Sequence, residues 1–148
     1  MAVTLQDVLL AEDVRPKVVT DCQKLVDEEV KDKSGISGTA IKAAYKTVNA
    51  FASGIIHDAV DTLLPEMLPK LEPYWDAFTN EGGGDFGGYL SDRGGEVSEA
   101  LLSVTDARAA ASTRAPIRKA YNMIRSSGVK NVETALPRLG ALIQKYMS

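Results

Sequence analysis

Hydrophobic residues recur at intervals of three and four along the chain, and no long stretch alternates apolar with polar positions. Such intervals keep apolar side chains on one face of an α-helix, whereas a half-buried strand needs an interval of two. The pattern predicts an all-α fold, a compact irregular bundle of about six to eight helices. The length of 148 residues suits a single hydrophobic core, so residues 1–148 are taken as one helical domain.

Two helix starts are marked by local signals. Thr4 is followed three residues later by Asp7, which is the spacing of a capping box. Ser37 is the expected N-cap of a later helix, with Ile36 and Ile41 at the two positions of a hydrophobic staple. The motif "KSGISGTAIKAAYK" at residues 33–46 therefore indicates a helix boundary, because it lacks the glycine spacing of a phosphate-binding P-loop.

The most apolar segment covers residues 55–71 and is expected at the centre of the fold. Pro65, Pro69 and Pro73 recur every four residues and are expected to break or kink it. A separate short aromatic helix holding Trp75 should follow. Residues 79–96 then contain seven glycines, which predicts a flexible loop over about residues 79–95.

Two pairs of segments resemble each other in the same order. "AIKAAYKTV" at residues 40–48 matches "PIRKAYNMI" at 116–124, and "LPKL" at 68–71 matches "LPRL" at 136–139. A duplication would give two related helical halves. The alternative is chance similarity between amphipathic helices, and the offsets of 76 and 68 residues differ where a true repeat keeps its period.

Charge is divided unevenly, although the formal net charge is only −3. Residues 49–100 hold two basic and ten acidic residues, whereas residues 101–148 hold eight basic and two acidic ones. The two segments can pair within one fold, between two copies in a homodimer, or with an oppositely charged partner.

The residues that usually carry catalysis are scarce. One cysteine, Cys22, and one histidine, His57, leave too few partners for a zinc site or a Ser-His-Asp triad. No Glu-x-x-His pair is present for a di-iron bundle. We therefore expect no enzyme activity, no metal and no cofactor.

Five residues are candidates for binding. The free amides after Ser37, with Lys42 and its counterpart Arg118, could hold an anion. Tyr45 and Trp75, with other aromatics, could line an apolar pocket under the glycine-rich segment. The ordinary alternatives are solvated cations and aromatic side chains that simply form the core.

Location and partner class follow from absences in the sequence. No apolar run is long enough to span a bilayer, and no secretory leader is recognised at the N-terminus. With a single cysteine, this favours the cytoplasm. The basic third carries no nucleic-acid recognition motif, and the net charge is negative, so nucleic acid is not the expected partner.

Three segments, "DKSGISGTAIKAAYK", "LLPEMLPKLEPYWDAF" and "LLSVTDARAAAS", resemble a family of small uncharacterised all-α actinobacterial proteins. The resemblance covers most of the chain. It implies a compact helical domain of unknown function and supplies no site residues.

Two functional hypotheses remain. The first is a non-enzymatic cytoplasmic domain that acts through protein–protein contacts, with self-association as a homodimer. The alternative is a carrier or sensor of a small molecule or lipid, with an apolar pocket near Trp75.

Overall fold

A computed structural model describes residues 4–32, 39, 41–43, 45, 46, 54–125 and 127–147. Over this part of the chain the protein is helical, with short connections and no strand. The all-α prediction is confirmed. The predicted N-cap Ser37 and its staple partner Ile36 lie outside the described residues.

Seven helices have defined bounds. They are α1 (Leu5–Leu9), α2 (Arg15–Asp32), α3 (Ile55–Asn80), α4 (Phe86–Asp92), α5 (Gly94–Ala111), α6 (Ala115–Arg125) and α7 (Gly128–Met147). Residues 39, 41–43, 45 and 46 are helical as well. Helices α2, α3, α5 and α7 surround the core, α1 packs on α3 and α7, and α4 lies across α7. Helix α6 packs against α5 and α7.

The first helix begins as its sequence predicts. The side chain of Thr4 accepts a hydrogen bond from the amide of Asp7, and the Asp7 carboxylate accepts one from the amide of Thr4. This capping box satisfies amides that have no partner inside the helix. The amide of Leu5 donates to the carboxylate of Glu72 on α3, which joins the start of α1 to the central helix.

Helix α3 continues through all three of its prolines, so none of them breaks it. The aromatic segment around Trp75, expected as a separate helix, is the C-terminal part of α3. A proline lacks the amide that would bond to the carbonyl four residues earlier. Pro65 thereby frees the carbonyl of Asp61, and the guanidinium of Arg15 donates to that oxygen over 2.8 Å. The carboxylate of Asp61 accepts a second bond from Arg15 over 2.9 Å.

The glycine-rich segment is more ordered in secondary structure than its composition predicts. Residues 81–85 form the connection, and α4 begins at Phe86 in the middle of the expected loop. Gly82, Gly83 and Gly84 all have positive φ angles, of 103°, 80° and 117°. Only glycine adopts this conformation without strain, so three of the seven glycines serve the turn itself.

Other glycines of this segment serve helix packing. A Cβ atom on Gly140 of α7 would lie 2.3 Å from the Cα of Gly87 on α4. A Cβ atom on Gly87 would lie 2.6 Å from the carbonyl oxygen of Pro137. Helices α4 and α7 therefore cross in direct backbone contact, which any side chain at either position would prevent.

Candidate functional site

The most distinctive feature of the interior is a cavity of about 300 Å³ between α2, α3, α5 and α7. Its wall is apolar throughout. Residues with wholly buried side chains, such as Leu68 and Val18, form its deep side. Half-buried residues such as Leu25, Leu63 and Leu142 form its outer side.

The cavity wall comes almost entirely from the apolar stripes of the four helices. It consists of Leu9 of α1; Val18, Cys22, Leu25 and Val26 of α2; Val60, Leu63, Leu64, Met67, Leu68 and Leu71 of α3; Leu101 and Thr105 of α5; and Leu139, Leu142 and Ile143 of α7. These stripes are visible in the sequence. The space between them is not, because it depends on how far apart the helices are held.

The two wall residues with polar side-chain atoms do not make the cavity polar. The hydroxyl of Thr105 donates to the carbonyl of Leu102 over 3.0 Å and lies 2.8 Å from the hydroxyl of Tyr121. Burial, with a smaller contribution from Asp21, raises the pKa of the Cys22 thiol to about 11. Cys22 is thus a neutral thiol in an apolar wall, where it packs as a small hydrophobic side chain.

Trp75 does not line this cavity. It belongs to an aromatic cluster in which its ring lies 4.9 Å from that of Phe86 and 5.4 Å from that of Phe78. Tyr89 extends the cluster at 5.5 Å from Phe78, and the guanidinium of Arg93 lies 3.7 Å from the Tyr89 ring centroid. These aromatics pack on one another, so the apolar cavity lies elsewhere than the pocket expected near Trp75.

The described residues among the other candidates, Lys42, Tyr45 and Arg118, are not seen to form one site. Lys42 and Arg118 are exposed, and Arg118 lies on the outer face of α6 beside Lys119. The hydroxyl of Tyr45 donates to the carboxylate of Asp27 on α2. With Ser37 outside the described residues, the anion site stays a prediction.

Several cations of the basic C-terminal third pair with carboxylates of the same chain. Arg108 contacts Glu66 over 2.7 Å, and Arg125 contacts Asp106 over 2.7 Å. The pairing lowers the pKa of Asp106, first through the hydrogen bond from Arg125. Some of the basic residues of the C-terminal third therefore form ion pairs within the fold.

Among the described residues, the densest ion-pair cluster joins α7 to α2. The guanidinium of Arg138 lies 2.6 Å from Asp32, 3.1 Å from Glu29 and 3.6 Å from Glu28. One cation thus faces three carboxylates. The Glu29 side chain is the most buried of the three at 11% exposed.

A second contact between the same helices is centred on Asp21. Its carboxylate accepts hydrogen bonds from the hydroxyl of Tyr146 and from the ammonium of Lys145, the latter over 2.9 Å. Both bonds favour the ionised form and lower the pKa of Asp21. Burial and the bond to Asp21 raise the pKa of Tyr146 to about 12.

A surface groove of about 340 Å³ lies between α2 and α7, and its charged lining consists of Asp21, Lys24, Glu28, Arg138 and Lys145. Leu25 and Leu142 belong both to this groove and to the wall of the apolar cavity. The cavity and the charged groove are therefore adjacent, with two leucines between them.

No group of three or more histidine, cysteine, aspartate or glutamate side chains in the described part of the chain is placed to hold a metal ion. None of the helices described is both long and apolar enough to cross a membrane.

Together the helices and the cavity define the protein as an all-α bundle with an apolar cavity in its core. Residues 5–147 match the family model described as a family of unknown function, DUF6918, and the chain belongs to this family. Comparison with curated proteins and with solved structures found no match.

Proposed function

We propose that the protein binds a small apolar molecule in the cavity between α2, α3, α5 and α7, as a carrier or sensor. The observation that carries the proposal is the size of the cavity together with its wholly apolar wall. A cavity of about 150 Å³ is enough to hold benzene, so about 300 Å³ corresponds to roughly twelve carbon atoms. This is the carrier hypothesis of the sequence, moved away from Trp75.

The free energy expected from filling the cavity is large enough to support binding of a small apolar molecule. Cavities in protein cores cost about 24 cal/mol per Å³, so filling about 300 Å³ is worth roughly 7 kcal/mol before the cost of association. That cost is about 4 kcal/mol or more. The difference is at most about 3 kcal/mol, which corresponds to a dissociation constant in the millimolar range or weaker and fits reversible binding.

The test uses 4-(dimethylamino)benzonitrile, an uncharged probe small enough for the cavity whose fluorescence rises in apolar surroundings. We expect saturable enhancement with the wild-type protein and its loss in Val60→Phe, which adds a ring at the cavity wall. Val129→Phe is the matched control, because Val129 is also half-buried but is not part of that wall. A second filling variant, Leu63→Phe, repeats the measurement.

Circular dichroism establishes that each variant is folded before it is compared. The proposal fails if the wild-type protein gives no enhancement. It also fails if both folded filling variants enhance the probe as strongly as the wild type and Val129→Phe do.

A second candidate function is self-association through the outer face of α6. This face carries Arg118, Lys119 and Met123, and the Met123 side chain is 49% exposed. Among the described residues no ion pair includes Arg118 or Lys119. The acidic segment of a second copy would complement this face, which retains the hypothesis of protein–protein contacts in a specific form.

Size-exclusion chromatography with light scattering tests this second candidate at low and high salt. We expect a dimer at low salt that dissociates as salt screens the charges. The variant Arg118→Glu/Lys119→Glu should be monomeric at low salt, whereas the control Lys17→Glu/Lys70→Glu should still dimerise. A wild-type protein that is monomeric at both salt concentrations contradicts the proposal.

A further inference from the structure

We infer that the ligand of the cavity is a small hydrocarbon that carries no hydrogen-bonding group and lies wholly between the four helices. This inference rests on the proposed function and adds the chemical class of the ligand. Aliphatic and aromatic hydrocarbons belong to this class, whereas fatty acids, alcohols and phenols of the same size do not.

The hydroxyl of Thr105 in the cavity wall is already engaged. It donates to the carbonyl of Leu102 over 3.0 Å, and its oxygen lies 2.8 Å from the hydroxyl of Tyr121. The hydroxyl of Tyr121 in turn donates to the carboxylate of Asp106, which is paired with Arg125. Because the wall is apolar throughout, Thr105 contributes carbon rather than oxygen to its surface.

The thiol of Cys22 is equally unsuited to a polar ligand. A thiol donates and accepts hydrogen bonds only weakly. Burial raises its pKa to about 11, so at neutral pH it carries no charge that could attract a cation. A hydroxyl or carboxylate placed against this wall would lose its water without gaining a hydrogen bond, which weakens binding by about tenfold or more.

The helix backbones at the wall also keep their hydrogen bonds. In an α-helix each carbonyl accepts from the amide four residues later, and a proline at that later position leaves the carbonyl without its partner. In α3 and α7 the carbonyls affected in this way belong to Asp61, Pro65, Pro69 and Glu133. None of these four residues is among the described residues of the wall. The prolines therefore free no carbonyl that a ligand in the cavity could reach.

Contacts between α2 and α7 close the outer side of the cavity. Leu25 of α2 and Leu142 of α7 lie on this side, since both line the cavity and the groove outside it. Four residues before Leu25, Asp21 accepts a hydrogen bond from Tyr146, which lies four residues after Leu142. A spacing of four residues places side chains on the same face of a helix. The two helices are therefore bonded to each other one turn away from the two leucines.

A second contact holds the same helices one turn away in the opposite direction. Glu29, four residues after Leu25, lies 3.1 Å from Arg138, four residues before Leu142. The two leucines thus lie between two polar contacts that join α2 to α7. A hydrocarbon chain that left the cavity between the leucines would have to pass between these contacts.

An ion pair closes the side between α3 and α5 in the same way. Leu63 of α3 and Thr105 of α5 line the cavity. Three residues further along each helix, Glu66 contacts Arg108 over 2.7 Å. A ligand is therefore enclosed on both sides, and a polar group that it carried would remain against the apolar wall.

The experiment compares toluene with phenol, which has a hydroxyl in place of the methyl group and the same number of non-hydrogen atoms. Binding is followed by NMR of labelled leucine and valine methyl groups, because these side chains form most of the wall. We expect toluene to shift the signals of wall methyl groups and phenol to bind at least about tenfold more weakly. Octanoate, a chain of similar size with a charged head, should also bind at least about tenfold more weakly than toluene.

Isosteric substitutions in the wall test whether its lack of polarity sets this preference. Val60→Thr places a hydroxyl on the wall and should reduce the ratio of toluene to phenol affinity by at least about threefold. Val129→Thr is the matched control, because Val129 is half-buried and is not part of the wall. Thr105→Val removes the engaged hydroxyl. Both Val129→Thr and Thr105→Val should leave the ratio within about twofold of the wild type, and the methyl spectrum shows that each variant is folded.

The outcomes separate this inference from the proposal on which it rests. If neither toluene nor 4-(dimethylamino)benzonitrile binds, the proposed function fails. Binding of 4-(dimethylamino)benzonitrile without binding of toluene leaves the proposed function standing and overturns this inference, as does phenol or octanoate binding as tightly as toluene. A selective loss of phenol affinity in Thr105→Val also overturns it, because the hydroxyl would then contact the ligand. Equal ratios in Val60→Thr and Val129→Thr overturn the assignment of the preference to the wall.

Discussion

Around Phe86 two helices pack in direct backbone contact and leave no space between them, whereas between α2 and α5 the side chains leave a cavity of about 300 Å³. In the first region, Gly87 and Gly140 bring two helices into contact, and the rings of Trp75, Phe78 and Phe86 fill the remaining space. In the second region, the wall is mainly leucine and valine on longer helices.

The difference follows from where each region places its small residues. Glycines at a crossing let helices approach until their backbones touch, and large rings then fill the space beside the contact. Leucines on every facing helix keep the backbones apart, and the ends of their side chains need not meet. Substitutions that add or remove carbon atoms should therefore have different consequences in the two regions.

The largest effect is expected from Gly140→Ala. The added Cβ would lie 2.3 Å from the backbone of Gly87, and no side-chain rotation can relieve a clash between backbone and Cβ. We expect a loss of at least about 4 kcal/mol in the free energy of unfolding, measured by urea denaturation. Gly95→Ala is the control, because nothing lies within 4 Å of its Cβ position. It should be neutral or stabilise α5 by up to about 1 kcal/mol.

The next largest effect is a difference in the loss of stability between two Leu→Ala substitutions. Leu90 of α4 is wholly buried outside the cavity wall, so Leu90→Ala should cost about 4 kcal/mol. Leu63 is half-buried and already faces the cavity, so Leu63→Ala should cost about 2 kcal/mol or less. Equal losses in urea denaturation would show that the two regions are packed equally well.

A smaller effect concerns the contact between α2 and α7. Tyr146→Phe removes the hydrogen bond to the ionised Asp21 and should cost about 1.5 kcal/mol near pH 7. The double variant with Asp21→Asn should show that the two losses are not additive. Additive losses would mean that the two side chains do not interact in solution.

The pH dependence of this contact has a defined sign. The pKa of Asp21 is lowered from 3.8 in the folded protein. Its contribution to the free energy of unfolding is therefore present above pH 3.8 and is lost as the pH falls through the folded-state pKa. The pKa of Tyr146 is raised from 10.0 to about 12, so its contribution is complete below pH 10 and lost as the pH rises toward 12. The stability difference between wild type and Tyr146→Phe should therefore shrink at both extremes.

The last prediction concerns no change in stability but the rate at which the Cys22 thiol in the cavity wall reacts with a labelling reagent. With a pKa of about 11 against an ordinary 9.0, Cys22 should carry roughly a hundredfold less thiolate at pH 8 than an unfolded cysteine. Its reaction with Ellman's reagent should be at least about a hundredfold slower in the folded protein than in guanidinium chloride. Because the chain has one cysteine, no other thiol contributes. Equal rates would show that the wall around Cys22 is open to reagent.

Local signals in the sequence predicted the elements well. The capping box of Thr4 and Asp7 connects residues three positions apart, so it forms within one turn and needs no other part of the fold. The effect of the prolines in α3 was harder to predict. Pro65 leaves a backbone carbonyl without its helical partner, and this carbonyl accepts a hydrogen bond from Arg15, which lies 50 positions before the proline. Glycine content likewise predicted a loop where Gly87 instead serves a helix crossing.

The sequence by itself determined the all-α class, the apolar stripes of the main helices and the scarcity of catalytic residues, because these depend on composition and on spacing within one helix. Only the tertiary structure decided which stripes face one another and how far apart they lie. The backbone contact of Gly87 with Gly140, the pairing of Asp21 with Tyr146 and the volume between α2 and α5 all join residues more than 50 positions apart. Such distances are set by the packing of the whole bundle, since each helix rests where all its neighbours permit it.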